Sequence, residues 1–262
     1  QKEPVIDMPT RFVDFMRVLV PMAGDDTTPE GEQVNIYGNH VGSWNFAATA
    51  YLNRWKVKIY YEHYFDDHSQ MFFQYGRWKD GHIGLEITFP KNRFIDTFVY
   101  EGLGTKDQTG PMLYDSFWGK FEEQISAKDN YYNHYLYQGW QHWGMGIGNP
   151  LLPGPIYNKN GQITFISNRV LAHHIGFCGS PCQSLSYRML LSYSRHWGTY
   201  DNPLNEIKKQ FNSLFEVTYA PQQLKGWSFT VSGAMDRGSI LGNNYGGMLV
   251  IRKQGIIKSG NK

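Results

Sequence analysis

Strict alternation of apolar and polar residues, repeated in separate segments along the chain, most narrows what this sequence can fold into. Over 54–64, Trp55, Val57, Ile59 and Tyr61 take one phase and Lys56, Lys58, Tyr60 and Glu62 the other. Over 183–197, Leu185, Tyr187, Met189, Leu191 and Tyr193 alternate with Ser186, Arg188, Leu190, Ser192 and Ser194. A period of two puts successive side chains on opposite faces of a strand, so the chain reads as all-β. Strands are predicted over 42–52, 54–64, 82–89, 93–102, 162–175, 183–197, 211–220, 226–235 and 244–253. At roughly 9–14 residues they exceed the ~5–6 of a soluble strand and match the ~9–11 a tilted strand needs to cross a bilayer.

The connections add a second signal. Tight joints at Asn53, at 90–92, between the two cysteines and at 221–225 alternate with longer ones at 65–81, 103–161, 198–210 and 236–243. Such alternation predicts an antiparallel up-and-down transmembrane β-barrel, with minimal turns on one rim and external loops on the other. Segment 11–20 reads either as a tenth strand or as a short helix with Phe12, Phe15, Met16 and Leu19 on one face. A helix there leaves nine strands, an open sheet with unpaired edges that lipid does not tolerate. Gln1–Thr10 carries no basic-then-apolar leader, so the reading is a mature chain or a fragment, with the arc of a larger barrel preferred. The whole chain, 1–262, is taken as one barrel domain with a long external insert at 103–161.

Composition removes other classes. Aromatic residues make up 16% and charged residues 18% of the chain, the reverse of a disordered sequence. No apolar run approaches the ~20 residues of a membrane helix. A net charge of +2 gives no bulk reason to expect nucleic acid. The only cysteines, Cys178 and Cys182, suggest a local disulfide across a turn, with free thiols as the alternative.

The string from Asp129 to Trp140 (DNYYNHYLYQGW) runs on to Met145-Gly-Ile-Gly-Asn-Pro150. With Ser167-Asn-Arg-Val-Leu-Ala-His-His174, Leu185-Ser-Tyr-Arg188, Leu191-Ser-Tyr-Ser-Arg195 and the stretch from Gly242 to Arg252 (GNNYGGMLVIR), it resembles the Wzi-like capsule assembly proteins. These are outer-membrane β-barrels of Gram-negative bacteria, with longer chains, and the likeness is to their later part. The resemblance implies a lectin-like, non-catalytic anchor for capsular or surface polysaccharide, without a cofactor, contacting outer-membrane lipid. A porin-like channel is the main alternative and an outer-membrane hydrolase the third.

Sugar rings stack their C–H faces on aromatic planes, while their hydroxyls seek amides and imidazoles. Tyr132, His134, Tyr137, Trp140, His142, Trp143 and Asn149 offer both in one segment and are the glycan-binding candidates; an interfacial girdle or simple packing is the competing use of these rings. Arg169, His173, Arg188 and Glu216 are the lumen candidates, and Lys56, Lys58 and Glu62 would join them in a channel. His173 and His174, adjacent on a strand, point to opposite faces and cannot share a metal. The acidic pairs Asp66-Asp67 and Glu122-Glu123 read as solvated loop residues. No nucleophile elbow, zinc-protease helix or phosphate loop occurs.

Overall fold

Each alternating segment pairs with its neighbour in sequence, and together they make one nine-stranded antiparallel meander. In chain order the elements are helix α1 (Phe12–Leu19), β1 (Val41–Leu52), β2 (Trp55–Asp66), β3 (Gly81–Thr88) and β4 (Thr97–Gly104). A two-strand hairpin, β5 (Gln141–His142) and β6 (Met145–Gly146), and a 3-10 turn at Pro155–Tyr157 follow. The sheet resumes with β7 (Val170–Cys182), β8 (Leu185–Gly198), β9 (Pro203–Tyr219), β10 (Trp227–Gly238) and β11 (Asn244–Lys253). The computed structural model describes residues 9–20, 22–29, 33, 37–38, 40–66, 80–92, 94–108, 130–134 and 139–255.

The register separates two faces of opposite character. Glu101, His174, Ser192, Asn212 and Asp236 form one continuous cross-strand row on β4 and β7–β10. Their face is polar and internally bonded: Asn212 donates to Asp236 at 2.6 Å, Ser232 donates to Glu216 at 3.1 Å, and the Thr218 and Thr230 hydroxyls meet at 2.8 Å. The opposite face carries Phe46, Ile59, Ile83, Phe215, Val231 and Leu249, all exposed. Aromatics concentrate toward both ends of that face, as in Trp44 with Phe65, Trp55 with Phe89, and Trp227 stacked on Phe229. An antiparallel sheet in water covers its apolar face; this one covers its polar face instead. No second sheet lies over the apolar side among the described residues, so Trp55, Ile59, Leu191 and Phe229 do not meet in a dry centre.

Among the described residues the sheet is open, with β1 and β11 at its edges, in line with an arc rather than a ten-strand ring. Several other expectations change. Segment 11–20 is helical, and its apolar residues Phe12, Phe15 and Leu19 point outward, while the buried Asp14 is held by Arg11 and Arg17 at 3.0 and 3.1 Å. The short–long rhythm breaks in the last third. β9 begins at Pro203, so the β8–β9 connection is only 199–202, shorter than 220–226 between β9 and β10. Charged residues at 206–209 hide that early start from a reading based on apolar alternation. The cysteines do not flank a turn: the turn is Gln183-Ser184, both thiols lie on β7, and both are free. Four positions along a strand span roughly 13 Å, beyond the ~7 Å Cα limit for a disulfide, and the irregularity at Gly179–Cys182 does not bring the sulfurs together.

Gly84 shows how closely the polar face is packed. It sits opposite Tyr60, whose ring fills the space a Cβ would take and whose hydroxyl donates to Glu101. Gly84→Ala should therefore destabilise the sheet by about 1–3 kcal/mol, and trimming the ring in Gly84→Ala/Tyr60→Leu should recover part of that loss in a double-mutant unfolding cycle.

Candidate functional site

The described parts of the connection between β4 and β7, residues 105–108, 130–134 and 139–169, fold back over the polar face at one rim. Their apolar footing is small: Tyr132, Leu152 and Phe165 pack with Leu103, Val170 and Ala172. Polar anchors complete the seat. Asn133 exchanges two hydrogen bonds of 2.8 Å with the Phe165 backbone, and Asn168 donates to the Tyr131 carbonyl at 2.9 Å. Asp80, just before β3, is 1% exposed and accepts from the Asp107 amide at 2.9 Å, the Gln108 amide and the Tyr131 hydroxyl at 3.0 Å. Burial pushes its carboxyl up to about 6, against the pull of those three donors.

The hairpin β5–β6 is an exposed part of the insert whose turn is pinned from beneath. Its two-residue turn, Trp143-Gly144, has φ of 52° and 80°, both left-handed, as a tight hairpin turn requires. Glycine adopts this freely; tryptophan does so at a cost of roughly 1–2 kcal/mol. The turn is pinned beneath: Gly144 donates to the Gln141 side chain at 2.7 Å and accepts from the Ile156 amide at 2.8 Å. Gly154 passes so close that a Cβ there would sit 2.6 Å from the Gly144 oxygen and the Gly146 nitrogen. Trp143 itself is 84% exposed, with the His142 ring edge-on at 6.1 Å.

The other glycan candidates divide sharply from this pair. Tyr132 is buried, stacked on Trp140 at 5.8 Å and edge-on to Phe165 at 5.1 Å, and its hydroxyl accepts from the Asn149 amide. Trp140 thereby belongs to the packing of the insert. The Asn149 side chain accepts from the Leu151 amide at 3.0 Å, shaping the turn that roofs a cavity. His134 is half-buried, and burial lowers its imidazole to about 4, so it is neutral at pH 7. Tyr137, Asp67, Glu122 and Glu123 lie outside the described residues.

Between the insert and the sheet is a cavity of about 620 Å³, roofed by Tyr131, Tyr132 and Leu152 and floored by polar side chains of β1–β4, β7 and β8. Ser43 donates to Glu62 at 2.7 Å, His82 bridges Glu62 and Glu101 at 3.8 and 3.5 Å, and His174 meets Ser192 at 2.7 Å. Of these floor residues, sequence reasoning picked out only Glu62 as a lumen group. It chose His173, which lies on the opposite face, paired with Tyr100 at 2.8 Å. The phase of Leu171, Ile175 and Phe177 places His173 outward and His174 inward, so the signal was present in the alternation. Arg188 and Glu216 do face inward together, 3.4 Å apart, beside a second cavity of about 260 Å³ toward the short-turn rim. Arg169 lies at the insert rim, its guanidinium 4.0 Å from the Tyr200 ring.

His174 and Ser192 form a base–hydroxyl couple, but no carboxylate among the described residues hydrogen-bonds His174, and Glu101 is engaged by Tyr60 and His82. His196 touches Ser194 and Ser167 at 2.8 and 3.4 Å with all three side chains buried. Among the described residues, no group of three His, Cys, Asp or Glu side chains is placed to hold a metal ion. Neither a family model, nor a curated protein, nor a solved structure matches this chain.

Asp80 gives the site a pH signature. Its raised value means that the folded chain keeps a proton which the unfolded chain has released, so this contribution is full below about pH 4 and is lost as pH rises through about 6. Thermal unfolding followed from pH 4 to 8 should show stability falling across that window, and Asp80→Asn should flatten the fall.

Proposed function

We propose that this chain is wall and cap of an outer-membrane β-barrel that holds surface or capsular polysaccharide through the insert at its loop rim. The observation that carries the reading is the inverted sheet: its outward face is exposed, apolar and edged by aromatics, while the face under the insert is polar and hydrogen-bonded. Water penalises such an outer face and a bilayer favours it. Closure then needs strands beyond the nine. Each strand runs antiparallel to the next, so β1 and β11 run in the same direction and cannot pair with each other antiparallel. An odd number of further strands closes the barrel, which agrees with an arc of a larger ring.

Polysaccharide fits the cap in two ways. Trp143 presents an exposed aromatic ring on a clamped turn with an imidazole at its edge, and the cavity under the insert sets carboxylate, imidazole and hydroxyl groups beneath tyrosine rings. The insert's seat over β1–β4, β7 and β8 narrows the interior, which weighs for an anchor over an open pore. The resemblance to Wzi-like proteins points the same way.

The test separates the two tryptophans. Trp143→Ala should leave heat-modifiable barrel mobility unchanged and weaken binding of purified capsular polysaccharide about three- to tenfold, the scale of one aromatic contact. Trp140→Ala should lower stability, because its ring stacks on Tyr132. Undiminished binding by Trp143→Ala would refute the site.

A further inference from the structure

Near the insert rim the outward face changes from aromatic to cationic. Arg195 on β8 lies directly opposite Lys209 on β9, and residues opposed in this way share a face. Both are exposed. Like charges directly opposed are destabilising, yet neither has a carboxylate within ion-pair distance among the described residues. The band continues across the neighbouring strands. The Trp197 amide donates to the Arg169 carbonyl at 3.0 Å, which extends the ladder beyond β7. The Trp197 ring is flanked by the Arg195 guanidinium at 5.1 Å and the Lys106 ammonium at 4.9 Å, and Arg169 lies over Tyr200. Arg237 on β10, opposite Phe211, adds a fifth cation on the same side. Aromatic faces orient these groups without neutralising them. Asp107, Asp201 and Glu206 lie in adjoining segments but form no ion pair with the band.

Directly below, Tyr193 opposes Phe211 and Met189 opposes Phe215, so apolar surface begins one position down the strands. We infer that this band binds the phosphates of outer-leaflet glycolipid, with Arg195 and Lys209 at its centre. The inference rests on the outer-membrane reading above. A lipid whose anionic headgroup sits at the cations while its acyl chains lie on the apolar rows satisfies both surfaces at once; a soluble polyanion satisfies only the first. Arginine supplies paired N–H donors that match phosphate oxygens, and lysine a point charge beside them.

The experiment uses the full-length protein in detergent micelles, with bisphosphorylated lipid A and its dephosphorylated form as probes and bound lipid counted by native mass spectrometry. The wild type should retain the bisphosphorylated form in preference. Arg195→Gln/Lys209→Gln should lose roughly thirtyfold in affinity for it, about fivefold per cation, with no change for the dephosphorylated lipid. Because the substitutions remove a like-charge pair, barrel stability should hold or rise, so lost binding is not lost folding. Equal retention of the two lipids, or by the two proteins, overturns the inference. Displacement of lipid A by millimolar inorganic phosphate also overturns it, by showing a general anion site. Failure of the wild type to partition into membranes would instead overturn the outer-membrane reading, whereas Trp143→Ala reports on polysaccharide alone.

Discussion

Everything in this structure follows from which side of the sheet is covered. Each strand must send one row of side chains to either face, and here the polar rows lie under the insert while the apolar rows lie open. The fully buried side chains are accordingly rich in hydrogen-bonding groups: Gln108, Asn168, His196 and Gln210 stand beside only a few such as Phe165 and Val170. A buried polar group is stable only when bonded, so the interior is held by directional contacts between strands and insert more than by apolar packing. That is why single residues such as Asp80 and Asn133 carry so much of the insert's attachment.

The same constraint accounts for local strain. Tyr132, Trp143 and Gln108 all hold left-handed φ angles, at 71°, 52° and 40°. Two of them are buried and fixed by neighbours: Tyr132 by the stack with Trp140 and the bond from Asn149, Gln108 by Asp80 and the Asn168 carbonyl. Trp143 is different, since its ring is free while its backbone is clamped from below. The strain at Trp143 is thus held by the turn beneath an exposed ring and not by packing of the ring itself.

Much of this was legible in the chain. Two-residue periodicity gave nine strands, most with ends within a few positions, because each pairs locally and each half-face repeats the same chemistry. It failed at the charged start of β9, at the start of β7, predicted at 162 and found at Val170, and at the β7 end, where Gly179 to Cys182 continue the strand through an irregular register. The outward helix α1 was one of two readings its residues allowed. The candidate site was harder. Trp143 and Trp140 look alike in sequence, and only the hairpin and the stack on Tyr132 separate presentation from packing. The row Glu101–His174–Ser192 depends on register across strands joined by the 105–169 connection, which no local pattern encodes. Arg195 and Lys209 carry no motif at all and become visible only as opposed partners.

The central claim, that the apolar face meets hydrocarbon and the polar face an aqueous interior, is tested most directly by spin labels placed one at a time along β10 from Phe229 to Met235 in the reconstituted full-length protein. The account predicts a strict two-residue alternation, with Phe229, Val231, Gly233 and Met235 relaxed by oxygen dissolved in lipid and Thr230, Ser232 and Ala234 by a water-soluble nickel complex. Equal access of the nickel complex to both sets would contradict it.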